Sequence, residues 1–496
     1  MTRIGPRGRR RAKAQRVRTG CATCKFRRVK CDEGRPACSR CISTGRQCDR
    51  YESRSHGPNL VPAAAVAATI PPSVRLCVDP REMQPLQFYI EQTIDQFSTF
   101  FRDELWSAKV LQLAATEPCV RHALVAMALH HRHLSAQSTD VDMEFAARQQ
   151  ILAIRELKSP AQPASVSLLH LTTCCIFICT EILKGHHHSA IYFFKAGHGM
   201  IQELRSSRMN GHQHHTQDTT SMIQSIEALF ARFAIQVALM VGDVIPALSM
   251  AEISREYQQD PSHIPVITSA IQARKQFIDL VNYSMANSGG KYVLKDESCL
   301  YLIRAWLAAL RAYVAQQDQD TLSNSDRRAF VLLELQARYL LLAARMREQV
   351  EYGLVLDPVE DTRELGALID LAARTHEPEK GGPEQFKPAT RFHLDLGVVP
   401  ILFSIASSSR DVQVSRRAVQ LLLSMNVQEG IWSSNLTGRV ARRMLELMES
   451  ETSDDVGPSD MVFGRIMHVE VHFKPGTEAL ISYQTHGGVT EEVIVW

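Results

Sequence analysis

From Pro85 onward, apolar residues recur at spacings of three and four, the period of an α-helix with one buried face. Residues 85–106 place Phe88, Ile90, Ile94, Phe97, Phe100 and Phe101 in this way, which predicts one amphipathic helix. The first-turn pair Glu117-Pro118 opens a second over 117–135, carrying Val120, Ala123, Leu124, Met127 and Ala128. The same reading predicts helices near 143–157, 164–184, 189–206, 219–241, 265–286, 297–317, 326–351, 361–374, 395–407, 411–425 and 436–449. Short polar or Gly/Pro loops separate them. Near the end the period shortens: Val469, Val471 and Phe473, then Ala479, Ile481 and Tyr483, then Val493, Ile494 and Val495 predict two or three short strands. Residues 83–496 therefore read as one large all-α domain ending in a short β-hairpin or a third strand.

Upstream the pattern vanishes. Residues 52–82 are rich in Ser, Pro and Ala and include Pro58, Pro62, Pro71, Pro72 and Pro80, the composition of a linker. They hold no sustained a/d heptads, so no coiled coil is predicted there. A monomer and a homodimer formed through the body both stay open.

Charge divides the chain at the same place. The whole carries a formal +3, but residues 1–55 hold 17 Lys+Arg against 4 Asp+Glu, and the remainder is net −10. A basic arm on an acidic body points to a polyanionic partner. A membrane surface fits poorly, because residues 1–18 have no apolar face and no lipidation signal after Met1. The basic start is never followed by an apolar core segment, so no signal peptide is predicted. Leu168–Leu183, the most apolar stretch, is short for a span and contains Glu181, and reads as a buried helix. An intracellular, reducing setting follows, which argues against a disulfide framework for the 12 cysteines.

Six of those cysteines fall between positions 21 and 48: Cys21, Cys24, Cys31, Cys38, Cys41 and Cys48. The half C-x2-C-x6-C occurs twice. Each C-x2-C pair can bring two thiolates to one metal, with a short helix before the third ligand. Six thiolates cannot give two tetrahedral zinc ions four private ligands each, so two sulfurs must bridge. The resulting cluster is anionic, and Lys25, Arg27, Arg28, Lys30 and Arg40 supply positive surroundings. So small a module has little apolar core, and metal binding must supply most of its folding free energy. A zinc module that binds protein instead of DNA is the competing reading, and the basic helix between the cysteines weighs against it.

The run Gly20-Cys21-Ala22-Thr23-Cys24-Lys25-Phe26-Arg27-Arg28-Val29-Lys30-Cys31-Asp32-Glu33, with Pro36 in the central loop, resembles the fungal zinc binuclear cluster (Zn2Cys6) transcription factors. That resemblance implies a DNA-binding domain over residues 19–51 holding two zinc ions, with Cys21 and Cys38 as the bridging ligands. One ion would take Cys21, Cys24, Cys31 and Cys38, the other Cys21, Cys38, Cys41 and Cys48. It implies a helix in the major groove of double-stranded DNA, with Arg28 reading CGG-like triplets and Arg27 beside it. Lys25 and Lys30 are expected phosphate contacts, as are Arg35, Arg40 and Arg46. The basic arm, residues 1–18, with Arg7, Arg9, Arg10, Arg11, Lys13, Arg16 and Arg18, fits a nuclear import signal or a DNA-tracking arm. The body resembles, more diffusely, the fungal-specific regulatory region that accompanies such clusters, through its aromatic opening helix and the segment Glu117-Pro118-Cys119-Val120-Arg121-His122-Ala123. A nuclear transcription factor is implied, meeting transcription machinery or co-regulators and import factors, with no membrane partner.

Other features carry less. His186, His187 and His188, and likewise His212, His214 and His215, read as solvated loops. Cys174, Cys175 and Cys179 sit in an apolar helix as small hydrophobes. The acidic run 448–460 reads as a polar linker. No metalloprotease His-Glu pair, phosphate loop, nucleophile elbow or dinucleotide fingerprint is present, so no enzyme is predicted.

Overall fold

The computed structural model describes residues 23–24, 29, 31–32, 38–44, 79–135, 139–158, 163–209, 217–241, 266–287, 297–318, 322–351, 358–376, 390–409, 411–450, 468–474, 478–485 and 488–495. The chain divides into two compact units, residues 1–65 and 66–496. Within the first, α1 spans Ser39–Ile42.

The second unit is a helical body. It opens with α2 (Pro80–Phe88), a π-helical turn (Tyr89–Thr93), α3 (Ile94–Phe97), a second π turn (Leu105–Lys109) and α4 (Val110–Thr116). Next come α5 (Pro118–Leu134), α6 (Asp140–Leu157), α7 (Pro163–Leu183), α8 (His187–Met209) and α9 (Gln217–Val241). Four more follow: α10 (Ala270–Asn287), α11 (Glu297–Gln316), α12 (Asn324–Glu351) and α13 (Pro358–His376). Local chemistry sets several boundaries. Pro118 opens α5 at a position with no amide to satisfy. A reciprocal capping box between Thr139 and Asp142 starts α6 three residues before the predicted onset.

The predicted single helix over 85–106 is broken. The chain bends over residues 98–103 and resumes in α4, which the periodicity did not mark. Tertiary packing accounts for the bend. It folds Phe97 edge-on against Trp106 at 5.2 Å, and the Tyr89 hydroxyl donates to the Trp106 carbonyl at 2.8 Å. Phe97, Phe100, Phe101, Leu105 and Trp106 are all buried, on more sides than one straight helix could bury.

A small sheet then interrupts the helices. β1 (Arg391–His393) pairs in parallel with β2 (Val427–Glu429), which turns back on β3 (Trp432–Ser433). Between β1 and β2 lie α14 (Val399–Ser408) and α15 (Val412–Met425), so the helix predicted near 395–407 begins later than the pattern suggested. Asn426 closes α15 in the left-handed conformation, φ 45°, and Gly430 makes the β2–β3 turn at φ 53°. After β3, α16 (Ser434–Ser450) leads to an antiparallel sheet of β4 (His468–Phe473), β5 (Glu478–Thr485) and β6 (Gly488–Val495), the predicted terminal strands. α16 lays Leu436, Val440 and Met444 against Ala479, Ile481 and Tyr483 of β5.

One apolar core runs through the body, with Trp306, Phe277, Phe230 and Phe194 among its fully buried side chains. Two helices, 217–240 and α11, are long and apolar enough to cross a membrane by length and composition. Both contribute to this core, α9 through Ile226, Phe230 and Phe233 and α11 through Ile303, Trp306 and Leu310.

Candidate metal centre and nucleic-acid interface

Four of the six expected thiolates, Cys24, Cys31, Cys38 and Cys41, are described, and all are buried within their small unit. Cys24 Sγ lies 3.6 Å from Cys38 Sγ and 3.9 Å from Cys41 Sγ, with all three sulfurs within 4.8 Å of one another. Two sulfurs on one tetrahedral zinc, each bonded at about 2.3 Å, stand about 3.8 Å apart. The Cys24–Cys38 separation of 3.6 Å is close to that value, so this pair is already spaced as ligands of one zinc. Cys31 completes the group, its sulfur within 4.8 Å of Cys38 Sγ.

The backbone explains the convergence. α1 starts directly after Cys38, and the Cys41 and Ile42 amides donate to the Cys38 carbonyl at 3.0 and 3.1 Å. That single turn carries Cys38 and Cys41 to one side, which is the physical use of the C-x2-C spacing. In the first half the Val29 amide donates to the Cys24 carbonyl at 3.1 Å. Asp32 holds the halves together: its carboxylate accepts from the Ser39 amide at 3.0 Å and the Arg40 amide at 3.3 Å, at the open N-terminus of α1. Those bonds, the Ser39 amide first, pull its carboxyl down to about 2. Sequence reading missed Asp32, although a signal exists, since both halves end in Cys-Asp (Cys31-Asp32 and Cys48-Asp49).

The cofactor is zinc, two ions in the Zn(2)-Cys(6) arrangement. Zinc held by these cysteines would offset part of the thiolate charge and cross-link the two halves, where the apolar core is too small to do so. Cys21 and Cys48 lie outside the described residues. So do Lys25, Arg27, Arg28 and Lys30, the expected DNA contacts, and the arm and linker. Val29, between Arg28 and Lys30 in sequence, is exposed.

In the body, the Glu117–Ala123 segment serves packing. Arg121 Nε and His122 Nδ1 reach the buried Glu82 carboxylate at 3.2 and 3.1 Å, and Gln149 donates to it at 3.2 Å. These contacts lock α2 onto α5 and α6. Burial drives the Glu82 carboxyl up, but the hydrogen bond and charge of His122, with Arg121 behind them, bring it below its ordinary value. The same hydrogen bond raises His122.

The reading of His186–His188 as a solvated loop needs correction. His187 is buried, donates from Nδ1 to the Gly185 carbonyl at 2.8 Å, and stacks on Phe473 of β4 at 4.7 Å. His186 pairs with an acid, Glu181, at 3.0 Å. Strand β4, distant in sequence, covers the loop. His212, His214 and His215 lie outside the described residues. Cys174, Cys175 and Cys179 are buried as expected, and burial pushes their thiols up, that of Cys174 to about 12.

Residues 19–57 match the fungal Zn(2)-Cys(6) binuclear cluster domain, and residues 84–284 match the fungal specific transcription factor domain. The chain is 24% identical to the aspercryptin biosynthesis cluster-specific transcription regulator of Emericella nidulans, over 97% of this chain and 96% of the relative. It is 30% identical to a transcription regulator of Purpureocillium lilacinum, over 37% of this chain and 48% of the relative. With a transcriptional regulatory protein of Schizosaccharomyces pombe it shares 31% identity, over 32% of this chain and 31% of the relative. No solved structure matches.

Proposed function

The chain belongs to the fungal Zn(2)-Cys(6) transcription regulators, and we propose that it binds double-stranded DNA at CGG-like triplets and regulates transcription by RNA polymerase II in the nucleus. The observation that carries this reading is the convergence of the Cys24, Cys38 and Cys41 sulfurs in a segment whose intervening sequence holds Lys25, Arg27, Arg28 and Lys30. Cys21 and Cys38 bridge the two ions, and Cys24, Cys31, Cys41 and Cys48 are terminal ligands. Arg28, with Arg27 beside it, engages guanine O6 and N7, while Lys25 and Lys30 contact phosphates. The arm of residues 1–18 carries the import signal and adds non-specific attraction.

The body acts on co-regulators or the transcription machinery and has no catalytic role. Likeness along nearly the whole length to a biosynthesis cluster-specific regulator supports control of one biosynthetic gene cluster. The chain acts as a monomer or as a homodimer joined through the body.

The test is fluorescence anisotropy of the zinc-loaded full chain on a CGG-containing duplex and on a scrambled one. Arg28→Ala is expected to weaken the CGG duplex by about 1–3 kcal/mol and to leave the scrambled duplex nearly unchanged. Equal weakening on both would assign Arg28 to phosphate contact and sink this reading of specificity. Equal affinity of the unaltered chain for both duplexes would favour a zinc-stabilised scaffold for protein contacts.

A further inference from the structure

A second set of ligating side chains lies inside the body, made of residues outside the cluster motif. The β1–β2 register sets His393 opposite Glu429, and α13 ends on His376. His376 Nε2 and His393 Nε2 each stand 3.7 Å from Glu429 Oε1, and all three residues are buried. At that separation neither pair forms a hydrogen bond.

The outer hydrogen bonds fix which nitrogens carry protons. His393 Nδ1 meets the Asp395 carbonyl at 3.1 Å, and a carbonyl only accepts, so Nδ1 donates. His376 Nδ1 meets Thr375 Oγ1 at 2.8 Å. The Thr375 hydroxyl already donates to the Ala372 carbonyl at 2.7 Å, so its oxygen accepts and His376 Nδ1 donates as well. Burial disfavours the charged form of an imidazole, so each ring keeps one proton, on Nδ1. Both Nε2 atoms are therefore bare lone pairs aimed at a carboxylate oxygen. His393 Nε2 has no hydrogen-bond partner although its side chain is more than nine-tenths buried. Burial pushes the Glu429 carboxyl up to about 8, so without a cation it holds a proton at neutral pH, and a metal ion binding there takes that proton's place.

Glu429 is itself held in place. Its carboxylate accepts from the Val398 amide at 3.1 Å and the Val399 amide at 2.8 Å, at the N-terminus of α14. A Cβ at Gly397 would fall 2.1 Å from Glu429 Oε1, so only glycine lets the backbone come so close. Imidazoles that donate their far N–H to backbone or hydroxyl oxygen while presenting Nε2 inward are arranged as metal ligands and their supports are arranged.

We propose that His376, His393 and Glu429 hold one divalent transition-metal ion of the zinc class, a site separate from the binuclear cluster. Two imidazole nitrogens and one carboxylate suit zinc and its borderline neighbours. Ligands at about 2.0–2.1 Å on a tetrahedral ion lie about 3.4 Å apart, so each imidazole–carboxylate distance of 3.7 Å need close by only a few tenths of an ångström, while the three ligand atoms already lie within 4.8 Å of one another. Among the described residues no fourth ligand atom joins the three, leaving a position for water. The Arg391 guanidinium, whose charge is felt at Glu429 and both imidazoles, and that of Arg328, felt at both imidazoles, oppose a cation, so the ion is held by its ligand bonds and not by the surrounding field. The ion ties the end of α13 to the small sheet and to the start of α14, and makes the stability of the regulatory body depend on metal.

The test uses the full chain. Elemental analysis after dialysis against trace zinc is expected to give one equivalent beyond the cluster's two. Titrating Co2+ into chain whose cluster is already filled with zinc is expected to add one equivalent showing visible d–d bands without thiolate charge-transfer absorption. His393→Ala and Glu429→Gln should lose this equivalent while keeping the cluster zinc. If either variant fails to fold, the Co2+ titration of the unaltered chain decides alone. Two zincs and no Co2+ uptake by the unaltered chain overturn the proposal and leave the site held by its own protons.

Discussion

A buried network of four charges braces the strand that presents His393, and neutralising one of them should cost far more than a surface pair would. Arg232 meets Asp103 at 2.7 Å and Asp395 at 3.6 Å, and Arg274 meets Asp395 at 2.7 Å. Their side chains are 5–14% exposed, so water screens them little. The four charges sum to zero. Asp395→Asn leaves one positive charge uncompensated, which for a buried network costs about 3–5 kcal/mol. The retained amide oxygen can still accept from Arg274, which favours the lower end. Arg274→Met leaves one negative charge at similar cost and also removes the guanidinium from its place 4.5 Å over the Phe101 ring. The double variant restores neutrality around an intact Arg232–Asp103 pair. It should therefore cost less than the sum of the singles, by about 1–3 kcal/mol. Urea denaturation followed by tryptophan fluorescence reads this, because Trp306 is fully buried against Phe277 at 5.0 Å. Costs that simply add, to within about 0.5 kcal/mol, would show that the four groups do not act as one network.

Other outcomes follow from single contacts. The raised His122 contributes stability that is full below its ordinary value and lost as pH climbs through the folded one, whereas the lowered Glu82 contributes stability lost only as pH falls through its own. Glu82→Gln should therefore cost about 1–2 kcal/mol near pH 6 and less near pH 8.5, read as urea midpoints; a loss that grows with pH would refute the pairing. Gly430→Ala forces a left-handed φ and brings a Cβ to 1.9 Å from Gln236 Oε1, whose amide also bonds Leu394 and Ile431. A loss of about 2 kcal/mol or more is expected, and a neutral result in thermal melts would contradict the turn. Cys38→Ala should release both zincs and Cys48→Ala only part, measured with a zinc chromophore; equal release would count against Cys38 as a bridge. Cys174, Cys175 and Cys179 should stay unreactive to a thiol reagent until the chain is unfolded, and rapid native labelling would contradict their burial.

Much of this organisation is legible in the sequence, for reasons that differ by element. The cluster is legible from spacing, since C-x2-C can close across one helical turn, as Cys38 and Cys41 show. The body helices follow from periodicity reinforced by local signals such as Pro118 and the Thr139–Asp142 box. Where apolar residues bury in several directions, as from Phe97 to Trp106, periodicity cannot distinguish a straight helix from a bend. The small sheet escaped because β1 and β2 are three residues each, too short to alternate, and pair across a long intervening segment that holds α14 and α15. Asn426 and Gly430 mark its turns only once their backbone angles are known. Glu429 shows no pattern at all, because its burial comes entirely from residues remote in sequence.

The most direct test is a selection on random duplex DNA with the zinc-loaded full chain, repeated after chelation and with Arg28→Ala. Enrichment of a CGG-like triplet that disappears under both treatments is the expected result, and the arrangement of the triplets separates monomer from dimer. Zinc-dependent folding with no enriched sequence would contradict sequence-specific recognition by this chain.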